Sequence, residues 1–250
     1  MDEQPIGARV AFKPATRPNQ ATVLRGRHVL LRRPDPAQDA RPLYEATHPP
    51  TGDPGIWTYM YDGPYKSVED LADTLAVAAP GLDPLYLTIV RATDELPVGR
   101  CSYLEIVPEH GTIEVGNIWF GPALQRTTAG TEAIFLMISH AFEELGYRRV
   151  EWKCNSLNAP SRAAAERFGF RFEGIFAQHR VVKGRNRDTA WYAITDGRWP
   201  ALSEAFSRWL SPENFDGAGK QRRSLRALTA DACDNQHVVS LKAAHPTRSG

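Results

Sequence analysis

Residues 112–145, TIEVGNIWFGPALQRTTAGTEAIFLMISHAFEEL, constrain the fold most, because a strand pattern there passes through a turn into a long apolar helix. The strand pattern stops at Pro122, and small and hydroxyl residues fill the turn at 125–131. A turn of this kind leaves backbone N–H groups unpaired at a helix N-terminus, where anions bind. We therefore expect an anion site at the turn and, after it, a central helix buried on a sheet.

The chain before this stretch predicts one strand, two helices and a three-stranded antiparallel meander. The first strand is expected at 27–33, followed by a helix at 35–47 that Asp35 caps. A second helix should begin at Ser67. Two segments rich in β-formers, 85–91 and 98–107, then lead into the strand of the opening stretch.

The chain after it predicts a strand at 149–154, a short helix capped by Asn158, two strands at 170–182 and 188–195, and a closing helix. The fold class is therefore α/β (α+β), with a mixed, mostly antiparallel sheet of about seven strands flanked by helices. We expect one domain at residues 23–215. Residues 1–22 are interpreted as a flexible N-terminal arm and residues 216–250 as a polar, disordered tail.

Composition excludes several classes of function. A formal net charge of +1 over 250 residues gives no general electrostatic attraction to nucleic acid or to an anionic membrane. The polar N-terminus lacks the apolar core of a signal peptide, and no run of about 18 apolar residues exists, which favours a cytoplasmic location. The three cysteines, Cys101, Cys154 and Cys233, lack metal-ligand spacing and are expected as free thiols without a metal site.

Four segments carry a resemblance to a known family: IEVGNIWF, QRTTAGTEA, YRRVEWKCNSLNAPSRAAAERFGFRFEG and KGRNRDTAWYAI. With the order of elements, they resemble the GNAT superfamily of N-acetyltransferases, and most closely the Rim type that acetylates protein N-termini. The resemblance implies a sheet splayed at an acetyl-CoA site and transfer of an acetyl group from acetyl-CoA to a primary amine. One departure is Thr128, which stands where the family usually has the first glycine of its turn.

The resemblance also implies which residues bind acetyl-CoA. The backbone of the strand should hold the pantetheine arm, and the turn should hold the pyrophosphate. Asn158 should contact pantetheine, and the alternative interpretation, a plain helix N-cap, can coexist with that role. Ser161 should lie near the sulfur as a candidate proton donor, and the alternative is that it is simply a serine in the first turn of a helix, where serine is common. The expected cofactor-binding residues are Ile118, Trp119, Phe120, Gln125, Arg126, Thr127, Thr128, Ala129, Gly130, Thr131, Asn158 and Ser161.

Acetyl transfer to an amine needs a base, because an alkylammonium group is mostly protonated at neutral pH. Glu114, eleven residues before Gln125, resembles in spacing the base of histone-type GNAT enzymes. An ordinary outward-facing strand glutamate is the alternative interpretation. His179 is a second candidate because its pKa lies near neutrality when unperturbed. Rim-type relatives often have a carboxylate one residue later, where this chain has Arg180.

The acceptor is expected to be a small-molecule amine or a protein N-terminus. Trp57, Tyr59 and Tyr61 are candidate acceptor-binding residues, since aromatic residues in a loop form either a pocket wall or a lid on the core. The chain is expected to be a monomer or a homodimer. An acyl-CoA-binding sensor or scaffold with weak catalysis is the alternative function, and nucleic-acid binding would rest only on KGRNR and QRRSLR.

Overall fold

A computed structural model describes residue 4 and residues 6–232 of the chain. They form one mixed eight-stranded sheet in the spatial order β1-β2-β3-β4-β5-β6-β8-β7. Every neighbouring pair is antiparallel except β5 and β6, which run parallel. The strands are β1 (Leu24–Arg25), β2 (Val29–Arg32), β3 (Leu85–Arg91), β4 (Pro97–Val107), β5 (Thr112–Phe120), β6 (Arg149–Asn155), β7 (Arg171–Val182) and β8 (Arg185–Thr195).

Within the described part of the chain, five α-helices and a further helix near residue 232 flank this sheet, so the predicted α+β class is confirmed. The sheet has eight strands rather than about seven, because the two-residue strand β1 adds an edge that is too short to show a sequence period. The helices are α1 (Pro36–Thr47), α2 (Val68–Ala78), α3 (Thr128–Ser139), α4 (Ala159–Arg167), α5 (Trp199–Leu210) and α6, described over residues 225–232.

Local capping signals set the helix starts. The carboxylate of Asp35 accepts hydrogen bonds from the backbone N–H groups of Ala37 and Gln38, and the Ser67 hydroxyl accepts one from Asp70. Asn158 does the same for Ser161. Each side chain satisfies donors that have no partner inside the helix, which is why these residue types favour helix starts.

Apolar residues form two clusters, one on each face of the sheet. The larger contains Ile134, Met137 and Ile138 of α3 together with apolar residues of α4, α5 and α6. The smaller joins α1 and α2 to Trp57 and Trp119. Successive residues of β5 reach different clusters, as the two-residue period of a strand requires.

Helix α3 is fixed to the sheet by a buried carboxylate. Glu132 accepts hydrogen bonds from the backbone N–H groups of Arg27, His28 and Val29, at 2.9, 2.6 and 3.0 Å. A Cβ atom on Gly26 would lie 2.3 Å from the same carboxylate, so glycine is needed for this close approach. The turn at the start of α3 is thereby held against β2.

The terminal segments differ from expectation. In the N-terminal segment, Ala15 N–H donates to Pro108 O in the β4–β5 turn and Thr16 N–H donates to Leu145 O at the end of the helical segment that continues α3, so this part contacts the domain. At the other end, the ordered chain extends to residue 232 at least, rather than ending at 215, because α6 buries Leu225 and Leu228 in the larger cluster. The rest of the expected tail, 233–250, and Cys233 lie outside the described residues.

Candidate acetyl-transfer site

The two parallel strands separate in the middle of the sheet. They pair only from Thr112 to Glu114 on β5, opposite Arg149 to Glu151 on β6, although both strands continue further. A β-bulge at Asn117, whose φ is 50°, shifts the β4 register and bends β5 at this point. Beyond Glu114 the β5 edge that faces β6 is therefore unpaired with it and is available to an extended ligand arm.

The turn before α3 has the form expected of an anion site. Thr127 is the N-cap: its hydroxyl accepts a hydrogen bond from Gly130 N–H at 3.1 Å and donates to Leu124 O at 2.8 Å. Thr128 is the first residue of α3, so its N–H and that of Ala129 have no acceptor within the helix. A Cβ atom on Gly130 would lie 2.5 Å from Leu124 O, so the closed turn requires glycine there.

The remaining residues of the turn mainly shape it. Arg126 has a φ of 61°, in the left-handed region that non-glycine residues enter rarely. The Gln125 side chain donates to Phe120 O at 2.9 Å. Thr131 is buried, and its hydroxyl donates to Thr127 O and accepts from Arg167. The Thr131 side chain therefore faces the protein interior, and the N–H groups of 128–129 are the donors of the turn that have no acceptor within the helix.

A cleft of about 120 Å³ lies where β5 and β6 diverge. Strands β4 to β8, the start of α4 and the loop at 59–61 contribute its walls. Seven of the predicted site residues line it, namely Tyr59, Tyr61, Glu114, Ile118, Asn158, Ser161 and His179. The structure thus brings together residues that lie more than a hundred positions apart in sequence.

Glu114 lies in this cleft as one member of a buried charge cluster. Its carboxylate is 2.9 Å from Lys153 Nζ, which is also 2.8 Å from the carboxylate of Glu151 and lies 4.2 Å from the centre of the Trp191 ring. Burial raises the pKa of Glu114 to about 7, although the Lys153 cation works in the opposite direction. Burial would lower the pKa of Lys153, but the two carboxylates outweigh it and the pKa is raised.

The other two predicted catalytic residues lie on different walls. Ser161 accepts a hydrogen bond from the Trp152 indole at 3.0 Å, and its own hydroxyl proton is directed toward the buried thiol of Cys154. Asn158 uses its carbonyl oxygen to cap α4, so its amide N–H₂ is not engaged in the cap. Burial, together with the neighbouring cations of Arg180, Arg187 and Lys153, lowers the pKa of His179 and favours its neutral form.

One predicted aromatic contact, that of Trp57, needs correction. Trp57 is 2% exposed and packs against Trp119 and Tyr65 in the smaller core cluster, so it is part of the lid on the core rather than the acceptor wall. The Trp119 side chain points into the same cluster, which leaves only its backbone for a ligand. Tyr59 and Tyr61 do line the cleft, and the Tyr59 hydroxyl donates to Leu157 O at 3.1 Å.

Comparison with known proteins decides the family. Residues 28–171 match the model of the acetyltransferase (GNAT) domain family. The chain belongs to the GNAT acetyltransferases. A crystal structure of a GCN5-related N-acetyltransferase from Brucella melitensis is 40% identical, covers 88% of this chain and 99% of its own, and has a TM-score of 0.84. A probable GNAT-family acetyltransferase from Chromobacterium violaceum is 37% identical, with coverage of 80% and 100% and a TM-score of 0.71.

A curated relative agrees. The uncharacterized N-acetyltransferase p20 of Bacillus licheniformis is 27% identical over 151 residues, which are 57% of this chain and 81% of the relative. The chain is thus a GNAT N-acetyltransferase, a family that uses acetyl-CoA and acts on amines. The residues present fit acetyl-CoA, since the unpaired β5 edge suits an extended pantetheine arm and the capped turn suits a pyrophosphate.

Two cationic residues of this acetyltransferase's cleft, Lys153 and Arg187, were not predicted from the sequence. Lys153 alternates with Glu151 and Arg149 along RVEWKC, so the two-residue period placed all three on one face. Arg187 is the last residue of the basic segment KGRNR; it lies in β8 and is buried. In the β7–β8 hairpin, Lys183 donates to the backbone carbonyls of Trp57, Asp62 and Gly63, so the hairpin holds the loop that forms the cleft roof.

Two absences hold for residue 4 and residues 6–232. Among them, no group of three or more His, Cys, Asp or Glu side chains is arranged to hold a metal ion. None of their helices has the length and apolar character needed to cross a membrane. Cys101 and Cys154 are buried free thiols, as predicted.

Proposed function

We propose that this acetyltransferase transfers an acetyl group from acetyl-CoA to a primary amine by direct attack on the thioester, with Glu114 as general base. The observation that carries the proposal is the placement of Glu114. Its buried carboxylate lines the cleft at the last residue of β5 that pairs with β6, and its pKa is about 7. A base with that pKa can accept a proton at neutral pH.

In the proposed reaction, an ammonium proton passes to Glu114, directly or through water. The amine nitrogen then forms a bond to the acetyl carbon as the carbon–sulfur bond breaks, and the nitrogen loses its second proton to solvent. The thiolate takes a proton from Ser161, which recovers one from solvent, and Glu114 releases its proton to solvent before the next cycle. His179, neutral and lining the same cleft, is the second candidate for the base. General-base assistance of this kind is worth roughly 10²- to 10⁴-fold in rate.

We assign acetyl-CoA binding to the β5 edge and the α3 turn. The backbone of Ile118, Trp119 and Phe120 would hold pantetheine with Asn158, and the turn at 125–131 would hold pyrophosphate, chiefly through the free N–H groups of Thr128 and Ala129. With helical geometry at Thr128, the replaced glycine does not remove this donor. The acetyl group is the expected acyl donor.

We propose that the acceptor is a small-molecule amine or a protein N-terminus. The resemblance of the motifs to Rim-type enzymes supports this choice of acceptor class. For the whole chain we retain the expectations of a cytoplasmic enzyme, of a monomer or homodimer, and of one acetyltransferase domain from residue 23, here extended to include α6. A weakly catalytic acyl-CoA sensor of the same fold is the alternative.

The decisive experiment measures acetyl-CoA binding and the release of free CoA thiol with a panel of amines, for the native chain and for Glu114→Gln. We expect micromolar or tighter binding in both, with amine-dependent release about 10²-fold or more slower in the variant. Binding without release for every amine would instead establish the sensor. Full activity in Glu114→Gln would mean that His179 or water, rather than Glu114, acts as the base.

A further inference from the structure

Three polar atoms in the wall formed by β7 and β8 lack hydrogen-bond partners. They are Nε of Arg187, Oγ1 of Thr189 and Nδ1 of His179, each buried and without a partner among the described residues. All three residues line the acetyl-transfer cleft. Buried polar atoms are almost always hydrogen-bonded, so a cluster of unpaired ones in a cleft indicates that a ligand supplies the missing partner.

Arg187 is the strongest of the three indications. It is 6% exposed, and its guanidinium carbon lies 4.7 Å from the centre of the Tyr61 ring. Stacking on a ring uses the flat face of a guanidinium group and leaves its N–H donors, which lie in the plane, free to bind an acceptor. No carboxylate of residue 4 or residues 6–232 forms an ion pair with Arg187.

The other cations of the cleft have carboxylate partners. Lys153 pairs with Glu114 and Glu151, and Arg180 lies 3.5 Å from Glu105 near the solvent. Arg187 therefore contributes an uncompensated positive charge to the described wall of the cleft. Moving such a charge out of water is unfavourable unless a counter-charge binds it.

Strand geometry places the two donors of β8 together. Arg187 and Thr189 are two residues apart, so their side chains project from the same face of the strand. Thr189 is opposite Asn155 on β6, which also lines the cleft. A guanidinium group and a neighbouring hydroxyl on one face match the geometry of a carboxylate, whose two oxygens accept hydrogen bonds from a planar fork.

We propose that Arg187 and Thr189 bind a carboxylate of the acceptor, so that the acceptor is a small molecule carrying both an amine and a carboxylate. The inference rests on the proposed function, because it places the amine at Glu114 in the same cleft. A small acceptor suits this cleft because the 59–61 loop covers it. The Tyr59 hydroxyl donates to Leu157 O, and Lys183 of the β7–β8 hairpin donates to the carbonyls of Trp57 and Asp62 on either side of the loop. Arg187 would thus determine specificity without acting on the reacting atoms.

The test compares matched ligands that differ only in charge. Binding of N-acetyl amino acids and of their carboxamides is measured by calorimetry with CoA present, since these product-like molecules carry no titrating amine. Acetylation of the parent amino acids and amino acid amides is measured in parallel, with rates referred to the neutral amine fraction. The native protein is expected to prefer the carboxylate by on the order of 10²-fold in Kd and in KM.

Variants assign that preference to residues. Arg187→Gln is expected to reduce this preference to nearly onefold, mainly by raising KM for the carboxylates, and Thr189→Val to reduce it partly. Arg180→Gln is the matched control, because Arg180 lines the same cleft but is exposed and paired with Glu105. It should leave the preference intact. Arg187→Lys keeps the charge without the fork and should retain an intermediate preference, which keeps the test decisive if Arg187→Gln does not fold.

The outcomes separate this inference from the proposed function. Equal use of carboxylates and carboxamides, with a rate that still depends on Glu114, would overturn the carboxylate site alone. A preference for phosphonate analogues, or for long peptides over free amino acids, would overturn it as well. If no amine were acetylated, the proposed function would fail, and the binding of the N-acetyl compounds would still decide the role of Arg187.

Discussion

At Glu114, two opposing effects determine the protonation state. Burial penalises the carboxylate and raises its pKa, whereas the Lys153 cation 2.9 Å away lowers it, and the pKa settles at about 7. Because this folded-state pKa lies above the ordinary value, the proton on Glu114 stabilises the fold at low pH, and that contribution is lost as the pH rises through about 7. The same ionisation creates the proposed base, so stability and activity should change in opposite directions.

We predict that kcat/KM of the native enzyme rises with pH and that one limb of this rise lies near pH 7, where Glu114 loses its proton. Deprotonation of the amine itself adds a separate limb. Glu114→Gln should lack this limb. Lys153→Met should move it to higher pH, because removing the cation removes the interaction that favours the carboxylate. The measurement is kcat/KM from mildly acidic to mildly alkaline pH with one amine.

Glu105→Gln provides the matched control for these profiles. Glu105 lines the same cleft but is solvent-exposed and paired with Arg180 at 3.5 Å. Its substitution should keep the limb but move it to slightly lower pH, because the charge of Glu105 contributes to the raised pKa of Glu114. A limb that persisted unchanged in Glu114→Gln would remove Glu114 from the role of base.

Individual site residues could be predicted from the sequence where a motif or a spacing within a motif indicated their position. Glu114, Asn158 and Ser161 were placed in that way, and all three line the cleft. Lys153 and Arg187 were missed, because their importance depends on which charges face them across the sheet. Trp57 was ambiguous between core and cleft, and only its packing against Trp119 decides for the core.

At the scale of elements, starts and turns were predictable because their causes are local. Asp35, Ser67, Thr127 and Asn158 each cap the helix that follows them. The bulge at Asn117 was not predictable, since it is a change of register between β4 and β5 and depends on pairing with a distant segment. The separation of β5 from β6 has the same long-range origin.

The cap of α3 yields a prediction that links stability to ligand binding. Thr127→Ala removes the hydroxyl that accepts from Gly130 N–H and donates to Leu124 O. We expect the free energy of unfolding to fall by about 1 kcal/mol, and acetyl-CoA to bind less tightly because the turn loosens. Thermal unfolding and calorimetric titration with acetyl-CoA measure the two effects, and Thr127→Ser should restore both.

Ser67→Ala is the matched control for the loss of a cap. Ser67 caps α2 with a hydrogen bond from Asp70 N–H at 3.3 Å, and it does not line the cleft. This variant should lose a similar amount of stability while its affinity for acetyl-CoA stays unchanged. Equal weakening of acetyl-CoA binding in both variants would mean that the α3 turn has no specific part in binding.

At the scale of the whole molecule, the order of elements and the fold class were predictable, whereas the extent of the domain was not. The sequence beyond Phe215 is polar on average, yet Leu225 and Leu228 are three residues apart and face the larger cluster together. Helix α6 is short, so its few apolar residues produce too weak a period to stand out in a polar segment. Packing against α4 and α5, rather than composition, makes it part of the domain.

That packing predicts a cost for disturbing α6 far from the cleft. Leu228→Ala should lower the free energy of unfolding by about 2–5 kcal/mol, because Leu228 is 4% exposed and its truncation leaves a cavity. Arg226→Ala, on the exposed side of the same helix, removes only a solvent-exposed ion pair with Glu166 and should change stability by less than about 0.5 kcal/mol. Denaturant unfolding of both variants measures the difference, while kcat at low temperature should stay near the native value in each. Equal stability of the two variants would show that α6 does not pack on the acetyltransferase domain, and would return the domain boundary to residue 215.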